Sequence, residues 1–405
     1  MRKSNILIYP TSALILNPIS PEGGIKDVRE VEFKSTLPPA ITANILISLA
    51  NTGDHPLLHK LRDKGLLPRG NHARVSMQHT YYADTRDCRL TKCGLSFRVR
   101  IQAENCTVIQ GFKECKPTTE IQDRFENEGP VNIFGNVLPQ LADDQLANEI
   151  YKSFIEIINR TGLHPKTFGK NCKEAHRVWL RKACAFFADH KGELPQPHQK
   201  KSSKTPIPTK IIQHCMLRAM IKKAHLITPA VIMQYGDGYH HQNIVQDLAE
   251  LARKGEIGMY GHDEFPRLFI HLMYNGLIYE LAIDMGQSQK NRFLQAEFEI
   301  EAKPTVDQVA ARGDLENVAA IVVEIFKEIA WVELGRNLCP IHELRPSPSK
   351  GELNALARRA IHFQSRLPDG LIALPDYSQP SLHRSIEESI EMVSTIIGRQ
   401  NGLRL

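Results

Sequence analysis

Carboxylates and a lysine alternate with apolar residues in the segment REVEFKSTLPP, which runs from Arg29 to Pro39. If the segment forms a β-strand, Glu30, Glu32 and Lys34 share one face, because strand side chains alternate with a period of two. Carboxylate oxygens suit a divalent metal ion, and an ammonium group suits a phosphate oxygen. A solvated surface strand shows the same pattern, so the interpretation depends on whether the pattern recurs.

The alternation recurs in LSFRVR, DRFENE and QAEFEIEAK. The charged residues of these rows are Arg98, Arg100, Arg124, Glu126, Glu128, Glu297, Glu299, Glu301 and Lys303. Two carboxylates at alternate positions of a strand lie roughly 7 Å apart and repel each other by roughly 2 kcal/mol at an effective dielectric constant of about 20. We therefore expect cations among the acids, and divalent metal ions are the natural candidates. The arginine rows favour an anion rich in oxygen, such as phosphate.

A hairpin later in the chain predicts which charges face each other. The Asn-Gly dipeptide at 275–276 suits a two-residue type I′ turn. The resulting register places Arg267 opposite Asp284 and His271 opposite Glu280, so that opposite charges share one face. A closed sheet with a charged interior, and with its apolar faces packed outward against helices, would hold metal and phosphate together. Small barrels normally fill with apolar side chains instead.

Helical patterns interrupt and follow these strands. One helix is predicted after Pro38-Pro39, one at about 141–159 and one at about 306–328. The region of about 163–264 has a different character, with predicted helices in KEAHRVWLRKACAFFADH and HHQNIVQDLAELARKGEIG and a Pro/Ser/Lys-rich loop between them. We interpret this region as a helical insertion.

The composition limits the class of protein. Hydrophobic residues make up 42% of the 405 residues and charged residues 24%, values that are typical of a globular protein. A net charge of +6 without a long Lys/Arg run suits an anionic small molecule and disfavours nucleic acid. The eight cysteines lack metal-type spacing, Pro10 interrupts the apolar N-terminal run, and no segment reaches the length of a transmembrane helix. We predict a cytoplasmic protein with no membrane association.

Taken in order, these segments resemble the CYTH superfamily, the triphosphate tunnel metalloenzymes. EVEFK is similar to the N-terminal E-x-E-x-K signature, and VIQGFKE and DRFENEGPV are similar to later strands of the family. The segment YYADTRDCRLTKCGLSFRVR is similar in spacing to the family's Y-F-D-T and L-R-x-R elements, with Ala83 where an aromatic residue is usual. AIDMG, AEFEIEAK and PSK resemble its L-D-x-G, E-L-E-L-E-L-K and S-K elements. The resemblance covers about 28–131 and about 265–353, and the insertion departs from it.

The resemblance implies an α+β fold, in which an antiparallel eight-stranded β-barrel forms a triphosphate tunnel flanked by helices. The expected organisation is an N-terminal extension (1–27), a first part of the tunnel domain (28–162), the helical insertion (163–264), a second part of the tunnel domain (265–354) and a partly helical C-terminal tail (355–405).

The resemblance also implies a metal-dependent triphosphate hydrolase, in which water attacks the terminal phosphorus in line and Mg²⁺ or Mn²⁺ is the cofactor. The implied catalytic residues are Glu30, Glu32, Lys34 and Glu128. The implied metal ligands are Glu30, Glu32, Asp284, Glu297 and Glu299. The implied phosphate-binding residues are Lys34, Arg98, Arg100, Lys113, Arg124, Arg267 and Lys350.

Several alternatives stay open at this stage. Lys170 and Lys173 compete with Arg267 for one basic position, and His271 is a candidate for proton transfer or for a structural pair. An adenylyl cyclase of the same superfamily, or a non-catalytic module that binds polyphosphate or nucleotide, would share the tunnel. Tripolyphosphate, a nucleoside triphosphate, thiamine triphosphate and an RNA 5′ end share the moiety to be bound. The sequence indicates neither which of these substrates is used nor the oligomeric state.

Overall fold

The structure is a computed structural model. It describes residues 28–92, 95–102, 107–114, 121–130, 132–160, 173–197, 206–222, 251, 254, 256–288, 294–303 and 308–335. At some of these positions, including Glu30, Arg124, Glu126 and Glu128, only the backbone is described. Several predictions concern residues outside this set. They are the N-terminal extension, the C-terminal tail, the candidates Lys170 and Lys350, and most of the helix predicted in HHQNIVQDLAELARKGEIG.

Eight strands form a closed antiparallel barrel in the order β1-β5-β4-β3-β2-β6-β7-β8. They are β1 (Val28–Thr36), β2 (Leu67–Thr85), β3 (Leu95–Gln102), β4 (Thr107–Glu114), β5 (Ile121–Pro130), β6 (Ile257–Tyr274), β7 (Leu277–Ser288) and β8 (Leu294–Ala302). The barrel closes because β1 pairs with both β5 and β8. The predicted α+β barrel is confirmed. β6 begins at Ile257, inside the range assigned to the insertion from sequence.

The hairpin register is also confirmed. Asn275 and Gly276 have φ angles of 50° and 79°, as a type I′ turn requires. β6 and β7 pair so that Arg267 lies opposite Asp284 and residue 271 lies opposite residue 280.

Helices cover the barrel from outside. They are α1 (Pro39–Thr52), α2 (Pro56–Asp63), α3 (Arg89–Lys92), α4 (Ile133–Val137), α5 (Asp144–Arg160), α6 (Lys173–Asp189), α7 (Thr209–Ile221) and α8 (Gln308–Leu334), with a 3₁₀ turn at Leu138–Ala142. The predicted helices correspond to α1, α5, α6 and α8, whereas α2, α3, the short α4 and α7 were not predicted. α7 begins at Thr209, at the end of the segment that was interpreted as a Pro/Ser/Lys-rich loop. None of the described helices is both long and apolar enough to cross a membrane.

Two apolar layers hold these helices against the strands. In one layer, α1, α2 and α8 pack on the outer faces of β1, β6, β7 and β8, where the ring centroid of Phe298 lies 5.8 Å from that of Phe33 and 4.7 Å from that of Phe326. In the other layer, α4 to α7 pack on β2, β3 and β4 around residues such as Phe97 and Phe154. Because alternate side chains take opposite faces, these apolar contacts direct the charged rows into the barrel.

Candidate functional site

The charged face of β1 points into the barrel. Phe33 belongs to the outer apolar layer, so its neighbours Glu32 and Lys34 take the inner face, where they are 0% and 6% exposed. On β8 the same alternation places Phe298 outside and buries Glu297 and Glu299 inside. The inner surface beside β1 and β8 is therefore both buried and charged.

Two lysines pair with the acids of this inner surface. The Lys34 Nζ atom lies 3.1 Å from Glu299 Oε2 and 3.6 Å from Glu297 Oε1. From the opposite side of β1, Lys113 Nζ donates a hydrogen bond to Glu32 Oε2 at 3.3 Å. Lys34 and Lys113, two of the three lysines that the resemblance assigns to phosphate, thus contact carboxylates that it assigns to metal.

Arg267 is the third buried cation. Its Nε and Nη2 atoms lie 2.8 Å and 2.7 Å from Asp284 Oδ2, and Nη2 also lies 3.1 Å from Glu299 Oε2. The rings of Phe265 and Phe269, on the same strand, have centroids 5.8 Å and 5.7 Å from the guanidinium carbon. These cation–π contacts restrict the orientation of the guanidinium.

Glu299 is the point where these pairs meet. Its carboxylate lies within hydrogen-bonding reach of the Glu32 side chain, so two acids stand side by side in a buried site. Burial alone would raise the pKa of Glu299, but Lys34, Arg267 and Lys113 outweigh that effect and hold the pKa well below its ordinary value. Burial alone would lower the pKa of Lys34, but Glu297, Glu299 and Glu32 outweigh that effect and raise the pKa above its ordinary value. Glu299 and Lys34 are therefore both ionised near neutral pH.

We call these groups the central ion network. It consists of four carboxylates and three cations: Glu32, Glu297, Glu299, Asp284, Lys34, Lys113 and Arg267. In the absence of a ligand, each cation is paired with at least one of the acids. A divalent cation bound to the carboxylates would release the basic side chains, and these would then suit an anion with several oxygens.

A second group of ion pairs lies near one end of the barrel. His271 Nε2 lies 3.0 Å from Glu280 Oε2, and Lys303 Nζ lies 3.3 Å from Glu280 Oε1 and 2.7 Å from Glu301 Oε2. Burial raises the pKa of Glu280, but Lys303 and His271 lower it by more, to about 2. These contacts favour the structural interpretation of the His271–Glu280 pair.

Glu280 predicts a pH dependence of stability. Because its pKa falls from 4.5 to about 2 on folding, its contribution is complete above about pH 4.5 and is lost as pH falls towards 2. We expect Glu280→Gln to lower the free energy of unfolding by about 2–3 kcal/mol at pH 6 and by much less at pH 3. Urea denaturation at both pH values measures this difference, with the exposed Glu316→Gln as the control. A loss that is equal at both pH values would contradict the assignment.

The remaining predicted residues on β3 lie on the inner face. Arg98 and Arg100 are half-buried and lie opposite Tyr82 and Thr80 of β2. Lys173, the alternative to Arg267, is exposed at the first position of α6. Of these two candidates, only Arg267 lies on a barrel strand.

The backbone alone places the predicted residues of β5 and the start of β1. Glu30 lies opposite Arg124, Glu126 opposite Lys113, and Glu128 opposite Gly111. Glu126 is thus in register with Lys113 of the central ion network, and Glu30 lies two residues before Glu32 on β1. Their assigned roles stay predictions.

Asp84, in the YYADTRD segment, has a local role that sequence reasoning missed. Its Oδ1 atom accepts hydrogen bonds from the backbone N–H groups of Thr85 and Leu90 at 2.7 Å and 3.0 Å. Its Oδ2 atom accepts from the Thr91 backbone and hydroxyl at 3.2 Å and 2.8 Å. The aspartate therefore fixes the turn that leads from β2 into α3. An Asp-Thr pair at the end of a strand is a signal for such a turn.

The fold and the central ion network define the class of protein: a closed antiparallel barrel with a buried, charged interior. No family model and no curated protein matches the sequence. Among solved structures, the chain is similar to a Hippeastrum protein described as a candidate adenylyl cyclase with a dominant triphosphatase activity, at 15% identity, a TM-score of 0.33 and coverage of 78% of this chain and 99% of that one.

Two further structures show a comparable likeness. One is a candidate adenylate cyclase from Bacillus halodurans, at 13% identity and a TM-score of 0.29, with 80% of this chain and 96% of that chain covered. The other is a protein from Pyrococcus horikoshii, at 10% identity and a TM-score of 0.28, with 72% and 89% covered.

Proposed function

We propose that this protein is a metal-dependent triphosphate hydrolase of the CYTH type. The observation that supports the proposal is the central ion network, in which buried carboxylates and buried bases alternate around the inner wall of a closed barrel. A hydrolase with a metal–triphosphate substrate needs both kinds of group within reach of one bound molecule.

The acids of the network fit a divalent metal ion. Glu32 and Glu299 are adjacent, and Asp284 lies opposite Glu297 in the β7–β8 register, so oxygen donors from three strands converge. Mg²⁺ and Mn²⁺ prefer oxygen ligands, and Mg²⁺ typically takes few carboxylates together with water and substrate phosphate. Glu30 completes the proposed ligand set. A bound ion of this kind would neutralise charge on the phosphate oxygens.

The bases of the network fit the phosphate chain. Lys34, Lys113 and Arg267 would donate hydrogen bonds to phosphate oxygens after exchanging their carboxylate partners. The guanidinium of Arg267 is held by Phe265 and Phe269 and presents several N–H donors in one plane, which matches the geometry of a phosphate group. Arg98, Arg100, Arg124 and Lys350 are the further proposed phosphate contacts.

The proposed reaction is in-line attack of water on the terminal phosphorus. In this proposal the barrel wall would hold the phosphate chain so that the attacking water lies in line with the leaving phosphate oxygen. Glu32 and Glu128 are proposed to position the water and to accept its proton. Once the bases have exchanged their carboxylate partners for phosphate oxygens, their N–H groups would stabilise the charge of the transition state.

Phosphate release from a panel of triphosphates tests this function. Tripolyphosphate, nucleoside triphosphates, thiamine triphosphate and a 5′-triphosphorylated RNA are each incubated with Mg²⁺, with Mn²⁺ and without metal. Wild type should release phosphate only with metal, and the double variant Glu30→Gln/Glu32→Gln should release no phosphate under any of these conditions. The control Glu316→Gln, on the exposed side of α8, should behave as wild type. No release from any substrate would overturn the proposal.

A further inference from the structure

A second set of chemically active side chains lies outside the barrel, where β2 and β6 pair beneath α7. We call it the histidine cluster; it consists of His79, His214, His262 and Glu264. His79 lies opposite Glu264 in the β2–β6 register, and His214 comes from α7. Tyr81, two residues after His79, belongs to the apolar layer beneath α4 to α7. The histidine cluster therefore lies on the outer face of the strands, opposite to the central ion network.

The members of the cluster lie close together. The ring centroid of His79 is 5.1 Å from that of His214 and 5.9 Å from that of His262, and its Nδ1 atom is 3.8 Å from Glu264 Oε1. One ligand atom from each of His79, His262 and Glu264 can be chosen so that all of them lie within 4.8 Å of one another.

Two of these imidazoles are buried with unsatisfied nitrogens. His79 is 0% exposed and His214 is 3% exposed. Neither ring nitrogen of either residue has a hydrogen-bond partner among the described residues. Buried polar groups without partners are unfavourable, and each one calls for an explanation.

Neighbouring side chains orient the other two members. Arg218 Nε donates a hydrogen bond to the Tyr81 hydroxyl at 3.3 Å, and Arg218 Nη2 lies 3.9 Å from Glu264 Oε2. This contact leaves Glu264 Oε1 on the side of His79. The ring of Tyr81 stacks on His262 at a centroid distance of 4.2 Å. Metal-binding carboxylates and imidazoles are commonly oriented by such outer contacts.

We propose that the histidine cluster is a binding site for one transition-metal ion of the zinc class, with His79, His262 and Glu264 as ligands. His214 is the neighbouring imidazole that can supply a fourth ligand. Imidazole nitrogens with one carboxylate suit Zn²⁺ rather than Mg²⁺. Tetrahedral zinc ligands lie about 3.4 Å apart. The three ligand atoms now lie within 4.8 Å of one another, so they would move closer together when the ion binds. With His214 as the fourth ligand, the bound ion would join α7 to the barrel wall.

Co²⁺ is the probe for this site, because tetrahedral Co²⁺ absorbs visible light strongly and Mg²⁺ is silent. The full chain is stripped with a chelator and titrated with Co²⁺ in excess Mg²⁺, which competes for the carboxylates of the barrel. We expect about one tetrahedral Co²⁺ per chain, displaced by Zn²⁺. His79→Gln and His262→Gln should weaken binding by at least about 10-fold. The exposed His59→Gln and the barrel variant Glu32→Gln should bind Co²⁺ as wild type.

Absence of the tetrahedral spectrum in wild type, or its persistence in both histidine variants, would overturn the site. Near-ultraviolet circular dichroism verifies that each variant is folded. If the fully buried His79→Gln does not fold, the half-buried His262→Gln decides the question. The Co²⁺ spectrum is independent of phosphate release. A negative result in one experiment therefore overturns only the proposal that it tests, either the metal site or the hydrolase.

Discussion

Glu299→Gln is expected to reduce metal-dependent phosphate release by about 100-fold or more. Glu299 Oε2 contacts both Lys34 Nζ and Arg267 Nη2 at 3.1 Å, and the same carboxylate adjoins Glu32. Replacing the carboxylate by an amide of the same shape removes one proposed metal ligand. It also removes the charge that positions two proposed phosphate-binding groups.

The measurement is the rate of phosphate release as a function of Mg²⁺ concentration. If Glu299 binds metal, Glu299→Gln should need more Mg²⁺ and should remain slow at saturation, while Glu316→Gln matches wild type. Circular dichroism and thermal unfolding establish that the variant is folded. A folded Glu299→Gln protein with a rate within about threefold of wild type would remove Glu299 from the site.

Arg267→Met is expected to lower the free energy of unfolding by about 3–5 kcal/mol in the absence of metal. The guanidinium contacts the buried carboxylates of Asp284 and Glu299, and methionine fills similar space without a charge. The substitution removes the cation that lies 2.7 Å from Asp284, and one of the two cations that lie 3.1 Å from Glu299, in a low-dielectric interior. Mg²⁺ or Mn²⁺ should restore part of the loss, because a bound ion supplies positive charge to the same carboxylates.

Urea denaturation with and without Mg²⁺ measures both effects. Arg181→Met on the exposed face of α6 is the matched control and should change stability by less than about 0.5 kcal/mol. The central ion network would lose its proposed role if Arg267→Met were as stable as wild type. A variant that is destabilised and gains nothing from metal would place the metal away from these acids.

The inner face of the barrel was predictable because it follows from local rules. Alternation on β1 and β8 separates Glu32 and Glu299 from the apolar Phe33 and Phe298. The Asn-Gly turn fixes the β6–β7 register and therefore places Arg267 opposite Asp284. The closure of eight strands into a barrel was not local information, and that expectation came from the resemblance of the segments to a known family.

The pairing of Lys113 with Glu32 and the histidine cluster could not be predicted in this way. Lys113 reaches Glu32 because β5 brings β4 close to β1 when the barrel closes. His79, His262 and His214 come from β2, β6 and α7, at positions far apart in the chain and with no common spacing. The pairing of β2 with β6 brings His79 and His262 together, and the packing of α7 on the outer wall of the barrel adds His214.

The most direct test of the proposed reaction is the fate of the solvent oxygen and of the terminal phosphate. Tripolyphosphate and ATP are each incubated with the protein and Mn²⁺ in H₂¹⁸O, and the products are identified by ³¹P NMR and mass spectrometry. In-line attack of water predicts orthophosphate that carries one ¹⁸O atom, formed only with metal and lost in Glu30→Gln/Glu32→Gln. Unlabelled pyrophosphate together with cyclic AMP from ATP, or no metal-dependent product from either substrate, would contradict the account.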